Sequence, residues 1–218
     1  TLISGYPTAL CGRALEELDP SDMFTSYAAH LNEFGLANLV ITPSYNSTTR
    51  VADVIVNTQM AAGFANNSTT NDYRLAIVFT ENNVTGTASN YGQTNYYSSA
   101  SQNQPLVGAG RNWQTSPTPV PAAQMHYDFV ARTILGGFTG QANSLPSSLS
   151  AGSTYTSSVF SYTVPAAYNV SNMNVHALII DAKTNIVFNA NTVPLSSATA
   201  VKQLSSEKIE VAVYPNPA

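Results

Sequence analysis

The chain has 218 residues, of which 44% are hydrophobic and 9% are charged, and its formal net charge at pH 7 is −4. The acidic balance argues against nucleic-acid binding, which needs a basic stripe to neutralise phosphates, and the single cysteine, Cys11, excludes an internal disulfide. Hydroxyl and amide side chains replace the usual charges, as is typical of secreted and cell-surface proteins. No apolar run approaches the roughly 18 residues of a transmembrane helix, and no signal peptide is recognisable, so the chain is expected to be either cytosolic or already processed.

The first elements predicted along the chain are one short strand and one helix. Thr8–Cys11 has the pattern of an apolar strand, and Ser21 followed by Asp22 is typical of a helix N-terminus. The helical period continues to Gly35, which supplies a C-terminal stop. Its apolar positions are Met23, Phe24, Tyr27, Ala28, Leu31 and Phe34. About 36 residues are too few to bury this face alone, so we expect it to pack on the following domain, on a neighbouring chain or on upstream residues.

From residue 37 onward the hydrophobic period changes to two, which predicts β-strands. The pattern recurs with no helix between the segments 37–45, 50–60, 73–81, 125–135, 154–164, 174–182 and 186–193. Turn-forming residues at 46–49 and 182–185 indicate hairpins and therefore antiparallel pairing. The sequence thus predicts a mainly β fold, an immunoglobulin/fibronectin-III-like antiparallel β-sandwich of about seven strands.

Alternation within the strands predicts which side chains face the core. In 73–81 the inward set is Tyr73, Leu75, Ile77 and Phe79. In 125–135 the inward set is Met125, Tyr127, Phe129, Ala131 and Leu135, with His126, Asp128 and Arg132 outward. Residues 176–181 are apolar on both faces, which predicts a central strand.

The connection between the third and fourth predicted strands, residues 82–123, is unusually long, and loops of about 40 residues are uncommon unless they are functional or disordered. It carries the ligand-binding candidates Tyr91, Tyr96, Tyr97, Arg111 and Trp113. Tyrosine and tryptophan rings offer an apolar face and a polar tip, which suits sugars or protein partners. Alternatively, the rings fold back and cover an open edge or face of the sandwich. Both interpretations hold together if only some of the rings are buried.

The C-terminal residues 195–218 contain a Ser- and Ala-rich linker and then the start of a strand. That strand ends on Tyr214, Pro215, Asn216 and Pro217. This end resembles the opening of the C-terminal sorting domain carried by cargo of the type IX secretion system of certain Gram-negative bacteria. The resemblance implies a truncated sorting domain and, as a partner, the type IX secretion machinery.

The middle of the chain resembles the family related to outer membrane protein twenty-eight. Residues 73–97, 125–141 and 174–190 carry this resemblance, which implies a secreted or outer-membrane surface protein, in a family often suspected of adhesion. The beginning, Ser4–Leu10, is similar to the last third of a thioredoxin-like domain, in which Pro7 would be a structural cis-proline and a Cys-X-X-Cys pair would lie upstream.

The resemblances together predict three parts. Residues 1–36 would be a thioredoxin-like remnant, residues 37–194 the β-sandwich, and residues 195–218 the linker with the first strand of the sorting domain.

Outside the long loop, Cys11 and two histidines carry candidate chemistry. No activating base lies near Cys11 in the sequence, so we expect a buried, apolar thiol. The spacing of His126 and Asp128 on one face of a strand suits base catalysis, with His176 joining from a neighbouring strand as a third partner or as a metal ligand, although the spacing matches no zinc signature. No nucleophile motif accompanies them, so a polar surface face is the favoured interpretation.

A structural calcium ion would need Glu81, Asp72 and Asp53 to meet at one end of a sheet. No cofactor beyond this candidate calcium is expected.

These observations predict a non-enzymatic, exported cell-surface or secreted β-sandwich protein. It would bind or adhere to a surface ligand, protein or glycan, through the long loop. One alternative is a thiol–disulfide redox protein whose active cysteines lie upstream of this sequence. A second alternative is a carbohydrate-binding accessory module that depends on Trp113.

Overall fold

The secondary structure consists mainly of antiparallel strands. The computed structural model describes residues 9–13, 18, 22–30, 35–66, 69–99, 107–108 and 110–195. Its strands are Ala37–Asn46 (β1), Val51–Met60 (β2), Phe64–Ala65 (β3), Tyr73–Glu81 (β4), Val107–Gly108 (β5), Arg111–Asn112 (β6), Val130–Leu135 (β7), Ser148–Leu149 (β8), Thr154–Thr156 (β9), Phe160–Thr163 (β10), Met173–Asp181 (β11) and Val187–Pro194 (β12). The helical segments are Met23–His30 (α1) and short 3-10 helices at Cys11–Arg13, Ser89–Tyr91, Ala122–Gln124 and Val170–Asn172.

Two larger sheets form the body of the protein. The first has the order β1-β2-β10, with β9 also paired to β2, and the second has the order β12-β11-β4-β7. Every pairing in both sheets is antiparallel. The turns after β1 and β11 close the two predicted hairpins, and β11 is a central strand as predicted. The predicted antiparallel β-sandwich is therefore confirmed.

The core lies between the inner faces of the two sheets, where alternate side chains of each strand are buried. The first sheet contributes Ala37, Leu39, Ile41, Ala52, Val54, Val56, Met60 and Phe160. The second sheet contributes Tyr73, Leu75, Ile77, Phe79, Met173, Val175, Ala177 and Ile179. The inward set predicted for residues 73–81 is confirmed, because period two places those four side chains on one face.

Side-chain amides join the two sheets along one edge. Asn189 and Asn191 of β12 donate from their Nδ2 atoms to the carbonyls of Ala37 and Leu39 in β1, the second at 2.6 Å. These bonds satisfy edge carbonyls that would otherwise be open to pairing with another strand. The edge of the sandwich is therefore closed without a main-chain ladder between β1 and β12.

The exposure of helix α1 corrects one prediction. Its apolar stripe forms at helical spacing, yet no side chain of Met23–His30 is buried, and Phe24 is 78% exposed. The prediction that this face packs on the sandwich is wrong for the described turns. A neighbouring chain or upstream residues as its partner stays a prediction.

The segment before the helix also differs from the sequence interpretation. In place of a strand, Ala9 makes a single bridge to Leu18, and Cys11–Arg13 forms a 3-10 turn. Cys11 is exposed, so the expectation of a buried thiol is wrong. Arg13 donates to the carbonyl of Phe138 at 2.5 Å and lies 3.8 Å from the centre of its ring, so this short segment packs against the sandwich.

The fourth predicted strand begins five residues later than expected. Phe129 has a left-handed backbone conformation with φ of 54° and is 67% exposed, and β7 starts only at Val130. The pairing of β7 with β4 shifts register between Phe79 and Thr80. This irregularity reverses the alternation, so the predicted inward positions of Phe129 and Ala131 are wrong, since both are exposed.

Candidate functional site

The long connection between β4 and β7 is an ordered extension of the second sheet over its described residues, 82–99, 107–108 and 110–129. We call residues 82–129 the insertion. Isolated bridges pair Val84 with Tyr127 and Gln93 with Val120, and their backbone hydrogen bonds measure 2.8–3.1 Å. Val120 is completely buried, which gives the insertion a small apolar interior of its own. The two arms of the insertion therefore run side by side.

An ion pair between a buried carboxylate and a half-buried guanidinium anchors the base of the insertion. Glu81, the last residue of β4, accepts a 2.8 Å bond from Nε of Arg132 in β7. Its second carboxylate oxygen accepts the backbone N–H of Asn169, also at 2.8 Å. The Arg132 guanidinium lies 4.1 Å from the centre of the Tyr168 ring. One carboxylate thus ties together both strands that carry the insertion and the loop before β11.

The predicted pair His126 and Asp128 contacts Asn83, two residues after Glu81. Asp128 accepts the backbone N–H of Asn83 at 2.8 Å, and the Asn83 side-chain oxygen lies 2.8 Å from His126 Nδ1. The neighbouring Asn82 accepts the N–H of Phe129 through its side-chain oxygen at 2.8 Å. These contacts close the base of the insertion and hold the left-handed turn at Phe129.

His176 lies on the outer face of the second sheet and has different partners. Its Nε2 is 2.8 Å from the Thr80 hydroxyl, and its Nδ1 is 2.7 Å from the Thr192 hydroxyl. Partial burial lowers the pKa of His176, because the charged imidazolium loses hydration there. The structure therefore assigns His176 to a cross-strand contact and does not join it to His126 and Asp128.

The buried amide of Asn95 organises the outer part of the insertion. Its Nδ2 donates to the carbonyls of Trp113 at 2.7 Å and Ser116 at 3.2 Å, while its Oδ1 accepts the N–H of Tyr97 at 3.1 Å. Asn95 is only 4% exposed, so these bonds are made in a poorly hydrated environment. One side chain therefore fixes the turn that begins at Tyr96 against the opposite arm.

The structure divides the predicted tyrosines into two groups. Tyr96 is 90% exposed and Tyr97 is 39% exposed, and both lie on the turn held by Asn95. Tyr91 is half-buried at the inner end of the insertion, where its carbonyl accepts the Tyr127 hydroxyl at 2.8 Å. Tyr91 therefore has a structural position, whereas Tyr96 and Tyr97 face outward.

Arg111 and Trp113 lie together on the arm opposite the tyrosine turn. The Arg111 guanidinium is 5.6 Å from the centre of the Trp113 ring and donates to both the carbonyl and the side-chain oxygen of Gln124. Both Arg111 and Trp113 are half-buried. Because both terminal nitrogens already have internal acceptors, Arg111 supports the shape of the insertion more directly than it offers an anion site.

Two positions that shape the insertion, Asn95 and Gly86, were not singled out from the sequence. A Cβ atom at Gly86 would lie 2.5 Å from the Tyr91 ring, so only glycine permits this close approach. Asparagine and glycine are common in loops generally, and neither carries a local signal for a partner five to twenty-two residues away. Sequence reasoning therefore found the exposed rings but missed the residues that position them.

The three acidic residues proposed for calcium do not meet. Asp72 and Glu81 flank opposite ends of β4, about 30 Å apart for a nine-residue strand, and Asp53 lies in the other sheet. Asp72 bonds Arg74, Asp53 accepts the Ser161 hydroxyl, and Glu81 bonds Arg132. Within the described part of the chain, no group of three His, Cys, Asp or Glu side chains is placed to hold a metal ion.

Two sets of predicted residues lie outside the described residues: Pro7, and the sorting motif Tyr214, Pro215, Asn216 and Pro217. None of the helices in the described part is long and apolar enough to cross a membrane.

Comparisons with known proteins bear on most of the chain. The family model described as outer membrane protein Omp28 matches residues 2–198. Among solved structures, a domain of the outer membrane lipoprotein Omp28 from Porphyromonas gingivalis is 14% identical over 74% of this chain and 89% of that chain, with a TM-score of 0.37. No curated protein matches.

Proposed function

The chain belongs to the Omp28 family of outer membrane proteins, and from this premise and the geometry of the insertion we propose that it is a non-enzymatic ligand-binding or adhesion protein. The predicted family and outer-membrane surface location are confirmed by the family match. The sandwich serves as the scaffold in this proposal, and the insertion carries the contact surface. The ligand is an extracellular protein or glycan.

The observation that carries the proposal is the pair of adjacent exposed tyrosines on a fixed turn. Tyr96 and Tyr97 are adjacent and expose rings that combine an apolar face with a polar hydroxyl. The buried Asn95 bonds hold the turn in one conformation before any ligand arrives. A preorganised aromatic pair loses little conformational entropy on binding, which is the property that makes tyrosine frequent in binding surfaces.

The test uses the double variant Tyr96→Ala/Tyr97→Ala and the control Tyr27→Ala, which removes an exposed tyrosine from helix α1. Immobilised protein is probed with a panel of purified extracellular proteins and with a glycan array. We expect at least one ligand whose affinity falls about 30-fold or more in the double variant, as for an aromatic hot spot of about 2 kcal/mol, and is unchanged by Tyr27→Ala. The proposal would be refuted if every ligand bound the double variant with the same affinity as the parent protein.

A third variant separates positioning from contact. Asn95→Ala keeps Tyr96 and Tyr97 in the sequence but removes the side-chain bonds that fix their turn. We expect weaker binding to the same ligand, with a faster dissociation rate, because the turn must then be ordered during binding. Trp113→Ala tests the narrower version in which the ligand is a glycan that contacts the opposite arm.

Delivery by type IX secretion is a further part of the proposal, supported by the sequence Tyr214–Pro217. Replacing Pro215 and Pro217 by alanine in the protein as its cell makes it should reduce the amount found at the outer surface. An unchanged amount of protein at the outer surface would refute delivery by type IX secretion and would leave the binding proposal unaffected.

A further inference from the structure

The outer face of the first sheet is an extended polar surface distinct from the insertion. Cross-strand pairing aligns its side chains in rows, one of which is Asn38–Gln59–Thr154 and the next Val40–Asn57–Thr156. Further rows continue along the same face with Thr42, Ile55, Ser44, Asp53, Ser161 and Thr163. The strands β1 and β2 each have ten residues, so the face is about 30 Å long.

A groove opens at one end of this face, where β1 meets β12. It has a volume of 320 Å³ and is lined by Asn38, Gln59 and Asn189, of which Asn189 already donates to the Ala37 carbonyl. Its accessible apolar surface is supplied by Gly35 and Ala61, which are exposed, while Ala37 and Met60 are buried beneath it. The groove thus combines a small apolar floor with amides at its rim.

This face is almost free of charge. Asp53 is its only ionisable side chain, and its carboxylate accepts the Ser161 hydroxyl at 2.5 Å. A charged partner would lose hydration on this surface without meeting an opposite charge. Charge complementarity therefore favours a partner that is neutral and polar.

The available polar groups are both donors and acceptors. The Asn38 side chain has no partner among the described residues, and Gln59 uses only its Nε2, in a 3.3 Å bond to the Gly152 carbonyl. Asn57 accepts the Thr156 hydroxyl at 2.7 Å, which leaves its amide donors free. A sugar hydroxyl needs a donor and an acceptor together, and its ring presents an apolar C–H face that suits the floor of the groove.

We propose that the outer face of the first sheet, with the groove at Asn38 and Gln59, binds a neutral polysaccharide. The site lies on strands β1 and β2 and is independent of the tyrosine turn of the insertion. Because it lacks exposed aromatic rings for stacking, single contacts are weak, and repeated engagement along the face supplies the affinity.

The probes are neutral dextran, mannan, xylan and β-glucan, with alginate and heparin as charged counterparts, in affinity electrophoresis of the full chain. We expect at least one neutral polysaccharide to retard the protein. The variant Asn38→Ala/Gln59→Ala should weaken this binding about tenfold, as for the loss of two hydrogen bonds. Asn174→Ala, an amide on the outer face of the second sheet, is the matched control, and Tyr96→Ala/Tyr97→Ala should bind like the parent protein.

Several results would overturn the proposal. These are the absence of retardation by any neutral polysaccharide, retardation only by alginate or heparin, or equal binding by Asn38→Ala/Gln59→Ala. Loss of binding in the tyrosine variant alone would place the glycan on the insertion instead. A concentration-dependent dimer that Asn38→Ala/Gln59→Ala dissociates, with no polysaccharide binding, would assign the face to a second copy of the chain. Both substituted residues are exposed, and a thermal melt of each variant verifies folding.

Discussion

Replacing Thr58 with valine is expected to stabilise the protein. Thr58 lies on the inner face of β2, opposite Leu39 of β1 and Tyr155 of β9, and it is completely buried. Its hydroxyl has no hydrogen-bond partner among the described residues. A buried polar group without a partner costs about 1–3 kcal/mol, and valine keeps the β-branched shape that suits a strand. We expect a gain of about 1 kcal/mol in the free energy of unfolding and of about 2–4 °C in Tm.

Urea unfolding followed by far-UV circular dichroism measures this change. The midpoint should rise while the slope stays constant, because the surface exposed on unfolding is unchanged. The matched control is Thr80→Val, which removes a buried hydroxyl that does have a partner, His176 Nε2 at 2.8 Å. That variant should lose about 1 kcal/mol. If Thr58→Val is destabilised as much as Thr80→Val, the Thr58 hydroxyl is satisfied in solution and the reasoning fails.

Three further predictions concern the anchor, the insertion and pH. Glu81→Ala should lose about 3 kcal/mol of stability in urea, because it leaves the Arg132 charge unpaired, whereas Asp72→Ala breaks a more exposed pair and should lose about 1 kcal/mol or less. Gly86→Ala should open the insertion to limited proteolysis, since its Cβ would overlap the Tyr91 ring, whereas Gly108→Ala, with no atom within 4 Å, should not. Burial lowers the pKa of His176 in the folded state, so the unfolded chain binds the proton more readily, and stability should fall as pH drops below the unfolded value of about 6.5. His176→Gln should flatten that fall, and an unchanged pH profile would contradict it.

The strands could be predicted from the sequence because the alternation of apolar and polar residues follows which side chains are buried. In β2 every second side chain is buried in the sandwich, so the period of two survives the whole length of the strand, whereas in β11 both faces are buried near its end. The turn at 46–49 is stabilised by the Asn46 side chain, which accepts the N–H groups of Thr48 and Thr49. All three residues belong to the turn itself, so the local sequence is enough to predict it.

The errors arise where structure depends on distant partners. The apolar stripe of α1 correctly predicts a helix, but a stripe does not say what covers it, and Phe24 lies in water. The break at Phe129 needs the side chain of Asn82, forty-seven positions away, to accept its N–H. Alternation in the sequence continues through that break, and so it assigned Ala131 to the wrong face.

The candidate site was predicted in part for the same reason. Exposed rings such as Tyr96 can be recognised as unusual from composition and loop length alone. The position of these rings depends on Asn95, whose acceptors at Trp113 and Ser116 belong to the opposite arm. An asparagine has no sequence signature for such a role, because its amide can serve almost any pair of backbone groups.

The scarcity of charge connects the fold with both proposed surfaces. Asparagine amides close the β1–β12 edge, position the tyrosine turn and line the groove, so neutral hydrogen bonds serve in all three places. Neutral hydrogen bonds are weaker than charge-assisted ones but are insensitive to screening by salt. We therefore expect the closed edge and the ordered turn to depend little on ionic strength. The same chemistry, turned outward at Asn38 and Gln59, suits ligands that are themselves uncharged.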